Sequence, residues 1–312
     1  MNRAEKIFTE IDNLLIDGKE IDKYENWEFK DQIKPVQLLQ DDVIDFLFGE
    51  SKVTGLQLPW YGLEDTIRFR PGELTIWNGI NGHGKSMMLC QAFIGFMRQG
   101  SICAMASLEL KPVETLVRMI GQSWGIEKVE LQLPAIEQFF PKIEDQFYLY
   151  TETGDLKPKR VLALARYVRE ELNVEHLGID SLMKCGIRED DYSGQADFVN
   201  TLQNVAKDTG LHIHLVTHSK KQKDEYEKTG KFDIKGSGGI SDLADNVLTV
   251  TRNKKKELEK RMDNPNEEIL KQKDAFLTCD KQRHDNWEGV IGLYFHPSGQ
   301  YSRQEGQHRP ML

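Results

Sequence analysis

The residues Gly79-Ile80-Asn81-Gly82-His83-Gly84-Lys85-Ser86 constrain this chain more than any other stretch. They fit the spacing G-x-x-x-x-G-K-[ST], which carries meaning only between a strand and a helix. Both neighbours are present: the apolar run ending at Trp77 precedes it, and an apolar helical pattern follows over residues 85–99. Gly79 and Gly84 let backbone amides curl round a β-phosphate, and the start of the helix adds its positive end. Lys85 has the reach for β- and γ-phosphates, and Ser86 supplies a hydroxyl for Mg²⁺. The whole turn, with Asn81, Gly82, His83 and the following Met87, is therefore expected to line a nucleoside triphosphate.

A strand–turn–helix of this kind requires an α/β fold, and the pattern along the chain agrees. Strands are expected at residues 66–69, 74–77, 102–107, 147–150, 176–179, 212–217, 247–250 and 276–279. Helices are expected between most of them, at 85–99, 112–124, 158–172 and 196–208. Continuous apolar strands alternating with helices predict a mostly parallel sheet covered on both faces. The last strands, 276–279 and 290–295, flank the polar turn "KQRHDNWEG" and predict an antiparallel hairpin. Ahead of this domain, residues 4–17 and 38–48 carry helical apolar spacing, the second with Val43, Ile44 and Leu47 on one side. The expected division is a helical segment over 1–50, the main domain over 51–298 and a polar tail over 299–312.

Composition narrows the functional classes. No apolar run is long enough to span a bilayer, and the acidic, amphipathic start "MNRAEKIFTEIDNLL" is unlike a signal peptide. Cys90, Cys103, Cys185 and Cys279 are scattered without a CxxC pair, which suits a reducing cytoplasm and argues against structural zinc. The formal charge of -9 excludes a surface basic all over, though not one with a few local basic loops.

A phosphate loop needs an acid at a strand end for magnesium and another group to act on water. Asp180, ending the apolar run of "EHLGIDS", is expected to hold Mg²⁺ with Ser86. Glu109 in "AMASLEL" lies just past the strand after the loop's helix, where its carboxylate would polarise the attacking water. His218 ends the next strand, "HIHLVTHS", and is placed to touch a γ-phosphate. His212 and His214, two apart on one strand, read as packing residues, since no third ligand follows at a zinc spacing. "GQSWG", Gly121 to Gly125, fits G-x-S-x-G but ends a helical pattern, so it is not read as a hydrolase nucleophile.

With these parts in place the chain resembles the replicative ring helicases of the DnaB type, and looks most like phage helicase-primases and the mitochondrial helicase Twinkle. The matching pieces are "RFRPGELTIWNGINGHGKS", "ASLEL", "HLGIDSLMKCGI", "HIHLVTHSKK", "KGSGGISDLADNVLTVTRNK" and "CDKQR", in family order from about residue 65 to 296. The resemblance implies a RecA-like ATPase domain that works as a homo-hexamer, with nucleotide between neighbouring subunits. Lys85, Ser86, Glu109, Asp180 and His218 would then lie on one side of each site. Arg283 matches the arginine finger from the neighbour, with Lys281 beside it, and Arg252 and His296 match positions flanking the base. A family tyrosine is replaced by His296, which leaves the preferred base open.

The resemblance also places single-stranded DNA against the loop leaving His218. That loop holds Lys220, Lys221, Lys223, Lys228, Lys231 and Lys235 against Asp224, Glu225, Glu227 and Asp233, an excess of two positive charges. Charge alone would make it a solvated loop; its position makes Lys220, Lys221, Lys223, Lys231, Lys235, Gly236 and Gly238 the expected DNA contacts. Residues 184–192 are a second, weaker candidate, and "RNKKKELEKR" reads as the start of a solvated helix. Nothing before residue 50 resembles a primase module, so a separate primase, and a helicase loader, are expected partners. The two N-terminal helices either pack on an adjacent subunit or cover their own domain. The competing function on the same fold is a recombinase or recombination mediator that forms filaments on DNA, and a non-enzymatic nucleotide-gated module is a further rival.

Overall fold

The computed structural model describes residues 35–41, 43, 44, 55–63, 66–219, 238–284 and 286–312. It divides into two compact units, Met1–Val53 and Thr54–Leu312. In the first, Val36–Leu39 form a 3₁₀ turn that runs into helical residues at 40, 41, 43 and 44. Val36, Leu38, Val43 and Ile44 are exposed. The helix expected over 4–17, and the end of the one expected over 38–48, lie outside the described residues.

The second unit carries the fold. In chain order its elements are β1 (Leu56–Gln57), β2 (Arg68–Phe69), β3 (Leu74–Asn78), α1 (Lys85–Arg98), β4 (Cys103–Ser107), α2 (Pro112–Trp124), α3 (Leu133–Ile143), β5 (Phe147–Leu149) and α4 (Pro158–Glu170). There follow β6 (His176–Asp180), α5 (Tyr192–Thr209), β7 (His212–Val216), α6 (Gly238–Leu243), β8 (Asn246–Arg252), α7 (Lys254–Glu259), α8 (Glu267–Leu270), β9 (Ala275–Gln282), β10 (Gly289–Phe295) and β11 (Tyr301–Ser302). Nine strands form one sheet in the order β11-β10-β9-β8-β3-β7-β6-β4-β5. From β8 to β5 every pairing is parallel, and β8, β9, β10 and β11 pair antiparallel. β1 and β2 make a separate two-stranded ribbon.

Side-chain alternation splits the core into two layers. Leu74 and Ile76 of β3, Leu177 and Ile179 of β6, and Ile213 and Leu215 of β7 face α4 and α5. Trp77 and Val216 face the other way, onto Phe93, Phe96 and Met97 of α1 and Phe69 of β2. Because helices cover both faces, β3, β4, β6 and β7 are buried at every residue. Gly178 of β6 leaves room for Phe93, since a Cβ there would stand 3.2 Å from its ring. Helix starts follow from local chemistry. Pro112 and Pro158 open α2 and α4, where a missing N–H costs nothing, and the Asp191 side chain caps Gly194 N–H at 2.9 Å to start α5.

Three buried histidines lie in the α1 layer. His176, His212 and His214 stack on one another with ring centroids 4.5 to 5.3 Å apart, against Phe69, Phe93 and Phe96. Trp77 Nε1 donates to His214 Nδ1 (3.1 Å), so His214 offers its Nε2 proton to His176 Nδ1 (3.0 Å). His212 Nδ1 donates to Arg70 O (2.6 Å). Burial drives all three pKa values down, that of His212 to about 4. They are packing residues in neutral form.

The structure extends the expected pattern in four places. β9 continues through Lys281 and Gln282, so the hairpin turn begins only at Arg283. α3, with Leu133 and Phe140 exposed, was not anticipated, because its apolar residues face both the core and solvent. Residues 299–312, expected as a polar tail, instead supply β11 and the buried Tyr301 and Met311. Met311 N donates to Ser123 O (2.7 Å), and Gln91 and Gln300 bridge the segment to α1 and α2. The basic run after Arg252 does open a helix, yet Lys256 is buried in it and pairs with Asp274 at 3.0 Å.

Candidate nucleotide site

The site lies where β3, β7, β6 and β4, neighbours in the sheet, end together. β3 passes into Gly79, β4 into Glu109, β6 ends on Asp180 and β7 leads to His218. Open α/β sheets place their ligand crevice at this edge of the strands. Two glycines are required by geometry. Gly79 sits at φ 148°, and a Cβ there would drive into Val250 O; Gly84, in the left-handed region at φ 91°, lies against the Tyr301 hydroxyl. Gly84 is the N-cap of α1, so the helix begins inside the turn.

Lys85 is buried, and its ammonium donates to Gly79 O (2.9 Å) and Ile80 O (3.1 Å) within the loop. Burial lowers its pKa to about 8, against the opposing pull of Asp180 and Glu109. Asp180 is 3% exposed and bonded to the Ser86 side chain; burial raises its pKa above the usual range. A buried carboxylate beside a hydroxyl is a hard-oxygen pair suited to Mg²⁺, which takes one or two protein ligands and completes its shell with water and substrate phosphates. Among the described residues no group of three or more His, Cys, Asp or Glu could hold a metal without such help.

Glu109 and His218 form a second layer. Glu109 Oε1 accepts from Ser181 Oγ (2.6 Å) and stands 3.4 Å from His218 Nε2. His218 Nε2 is also 3.3 Å from Ser181 Oγ, and its Nδ1 is 3.5 Å from Lys85 Nζ. The ammonium can only donate, which assigns the proton of His218 to Nε2. The hydrogen bond from His218, then that from Ser181, holds Glu109 down to a pKa of about 2 despite partial burial. Such a carboxylate is a weak base at neutral pH, so its contribution is a fixed negative charge that orients and polarises water. Ser219 N–H donates to Gly79 O (3.1 Å) and Ser219 Oγ to Asn78 Oδ1 (3.1 Å), so the residue after His218 is tied to the first glycine. Ser181 was the missed member; its signal was adjacency to Asp180.

The remaining expected residues separate into three sets. Arg252 reaches the loop, with Nη1 3.1 Å from Gly82 O and Nε 2.6 Å from Glu257. Its backbone N–H faces His83 Nδ1 (3.4 Å), and burial followed by nearby cations lowers the His83 pKa to about 4. Asn81 is exposed at the tip and Met87 half-buried. His296 follows β10; its ring stacks on His308 at 3.6 Å and its Nδ1 meets Ser298 Oγ at 2.8 Å. The turn after it packs towards Met87, since a Cβ on Gly299 would stand 3.6 Å from its sulfur. Between them a cleft opens, walled by Met87, Leu110, Arg118, Lys128, Pro297 and Ser298.

Arg283 and Lys281 are not in this assembly. Arg283 Nη1 pairs with Asp245 Oδ1 (3.2 Å), and Asp245 Oδ2 accepts from Leu74 N (2.9 Å), at the opposite end of β3. Five strand residues at ~3.3 Å each separate the two ends of β3 by roughly 13 Å. Lys281 Nζ donates to Ser241 O (3.0 Å) and Asp242 O (2.9 Å) in the last turn of α6. Lys220, Lys221, Lys223, Lys231, Lys235 and Gly236 lie outside the described residues, and Gly238 opens α6. In the 184–192 segment, Lys184 pairs with Asp155 (3.2 Å) and Arg188 with Asp190 (3.5 Å).

A nine-stranded sheet with this glycine loop, and with buried Lys85 and Asp180 beside Ser86 at its ligand edge, defines a RecA-like P-loop ATPase domain. Comparison with known proteins sharpens that class. Residues 55–303 match the family described as the DnaB-like helicase C-terminal domain, and the chain belongs to that family. It is 26% identical over 244 residues to the DNA helicase/primase of Enterobacteria phage T3, covering 72% of this chain and 41% of that protein, so it spans about two-fifths of the relative's length. A solved DnaB-like replicative helicase, described with its interactions with primase, superposes with a TM-score of 0.69 at 13% identity, over 86% of this chain and 67% of that one. A solved ATPase domain gives 0.73 at 14% identity, over 88% of this chain and all of the other. Both share the fold.

Proposed function

We propose that this chain is the motor of a replicative DNA helicase, a hexameric ring that couples ATP hydrolysis to 5′-to-3′ movement along single-stranded DNA. The observation that carries this reading is the division of the charged machinery. Lys85, Ser86, Asp180, Glu109 and His218 converge at one end of the strands, whereas Arg283 stands at the other. Among the described residues Arg252 touches the phosphate loop but is taken up by Gly82 O and Glu257, and Arg283 stands away from the chain's own loop. A second copy supplies what the first lacks.

In this reading Lys85 and the amides of the loop bind the β- and γ-phosphates, and Ser86 and Asp180 hold Mg²⁺, which neutralises phosphate charge. Glu109 orients water at the γ-phosphate, and His218 senses that phosphate between Glu109 and Lys85. Arg283 of the adjacent copy, with Lys281 beside it, stabilises the charge that develops. Arg252 and His296 flank the base. Residues 220–238 carry the DNA contacts through Lys220, Lys221, Lys223, Lys231, Lys235, Gly236 and Gly238, and residues 1–50 pack on the neighbouring copy. A primase and a loader complete the assembly, in the cytoplasm of a bacterial host. Primase contact is a property of the solved relative that this reading extends to the present chain.

Strand displacement on forked duplexes tests the proposal. Unwinding that needs ATP and a free 5′ tail is expected. Unwinding from a 3′ tail alone would overturn the polarity. Long filaments on single-stranded DNA in electron micrographs, in place of rings, would favour the recombinase reading.

A further inference from the structure

Charged residues that the phosphate site does not use gather at the far end of the same strands. Glu73 and Asp245 immediately precede β3 and β8, and each is 3% exposed. Each faces an exposed side chain of the β9–β10 turn: Arg283 on Asp245 at 3.2 Å and His284 on Glu73 at 3.6 Å. Asp245 is itself immobilised. Its Oδ2 takes the Leu74 N–H at 2.9 Å, and Gln203 Nε2 of α5 stands 3.4 Å from both oxygens. The side chain of Arg283 is 42% exposed, so the guanidinium is held from within while much of it remains open. Around this pair the buried atoms Asn246 Oδ1 and Gln282 Oε1 have no hydrogen-bond partner among the described residues, while Arg70 Nη1 faces Glu73 Oε1 at 3.7 Å.

We propose that Asp245 is a positioning residue for Arg283, fixing the guanidinium so that its outer donors meet a phosphate of the adjacent copy. Arginine suits this double duty because its planar fork offers five donors, enough for a carboxylate on one edge and a phosphate oxygen on the other. The grip also joins two sites. Asp245 binds the first amide of β3, and the last residue of β3 leads into Gly79, so one strand spans from the chain's own phosphate loop to the arginine it lends. Asp245 touches no nucleotide. The role rests on the reading that Arg283 acts on a neighbour's phosphate.

The test compares DNA-stimulated ATP hydrolysis, binding of a fluorescent ATP analogue and thermal melting for Asp245→Asn, Arg283→Ala, Arg283→Lys and the Asp245→Asn/Arg283→Ala pair. The amide keeps an acceptor for Leu74 N–H but loses the charge. Asp245→Asn is expected to lower kcat by between about ten- and a hundredfold, the scale of a misplaced catalytic group, with KM and analogue affinity unchanged. In the Arg283→Ala background it should cause no further loss. An unchanged kcat for Asp245→Asn, or a loss that multiplies with that of Arg283→Ala, overturns the positioning role. Should Asp245→Asn fail to fold, Arg283→Lys decides, because a lysine keeps the charge but lacks the planar fork that offers one edge to the carboxylate and the other to a phosphate: wild-type kcat in that variant also overturns it. An Arg283→Ala protein with normal kcat would instead sink the shared-site reading, a result distinct from the others.

Discussion

The two ends of the central parallel strands carry similar chemistry arranged to opposite effect. At one end Lys85, Glu109 and His218 are within hydrogen-bond reach of each other or of Ser181, and Asp180 is bonded to the hydroxyl of Ser86, the residue after Lys85. At the other, Glu73 and Asp245 are equally buried but bound to their own chain, by Arg70 and Leu74 amides, by Asn246 and by Arg283. The first set faces the loop after the strand ends, where its partners are loop carbonyls and the Ser86 and Ser181 hydroxyls. The second is anchored to strand amides and keeps only its outer side chains free to turn outward. Burial and charge alone would not separate a site from a scaffold here; what the partners are does.

Replacement at the first end should break that equivalence most visibly. Glu109→Gln keeps the shape and loses the charge, and Lys85→Ala removes the ammonium held inside the glycine loop. Each is expected to lower ATP hydrolysis by about 10² to 10⁴ or more, with melting temperature within a few degrees of wild type. Steady-state hydrolysis and a thermal melt on the same preparations check this. A Glu109→Gln protein that hydrolyses normally would remove Glu109 from the chemistry.

Acid should damage the scaffold before the site. His176, His212 and His214 are held neutral, with folded pKa values below the ordinary value of about 6.5 and that of His212 near 4. The unfolded chain therefore binds more protons as pH falls. Stability is complete above about pH 6.5 and is lost towards pH 4, at about 1.4 kcal/mol per pH unit for each ring. Three rings at pH 5.5 amount to roughly 4 kcal/mol, or a melting point lower by on the order of ten degrees. Glu109, by contrast, stays charged until about pH 2. Melts at pH 7.5 and 5.5 decide the point; equal melting temperatures would mean that the rings take up protons within the fold.

Why one end was readable in the sequence and the other was not follows from these contacts. The glycine loop forces residue types at fixed spacing, since Gly79 and Gly84 admit no side chain, and Asp180, Glu109 and His218 each follow an apolar strand that is itself legible. α2, with Pro112 at its start, and the long apolar β3, β6 and β7 could be placed for the same reason. Asp245 carries no such signal: its role depends on Leu74, Gln203 and Arg283, none of them near it in sequence. The burial of Tyr301 and Met311 was hidden similarly, because "PSGQYSRQEGQHRPML" is polar by composition and is fixed by glutamines from α1 and α2.

Gly84→Ala tests the ligand end with a smaller perturbation. The left-handed backbone at φ 91° penalises a Cβ by about 1–2 kcal/mol, and the Tyr301 hydroxyl occupies the space it would need. Nucleotide affinity, read by a fluorescent ATP analogue, is expected to fall about tenfold or more, while melting falls by roughly two to six degrees. Equal affinity would show that the loop relaxes around the methyl.

The smallest effect expected is also the one that best divides the far end into its parts. Lys281 and Arg283 stand two residues apart on β9 and its turn, and resemblance pairs them at a neighbour's phosphate. Their contacts differ. Arg283 meets a carboxylate, whereas the Lys281 ammonium donates to Ser241 O and Asp242 O, the carbonyls that end α6. A cation at a helix C-terminus stabilises by about 0.3–1 kcal/mol. Lys281→Met, which keeps the apolar stem, should therefore cost less than about 1 kcal/mol in stability and leave kcat within about twofold if the lysine only caps the helix. A fall in kcat comparable with that of Arg283→Ala would instead mean that Lys281 leaves α6 when copies assemble. Because α6 directly follows residues 220–237, that release would couple the phosphate contact of one copy to the loop assigned to DNA.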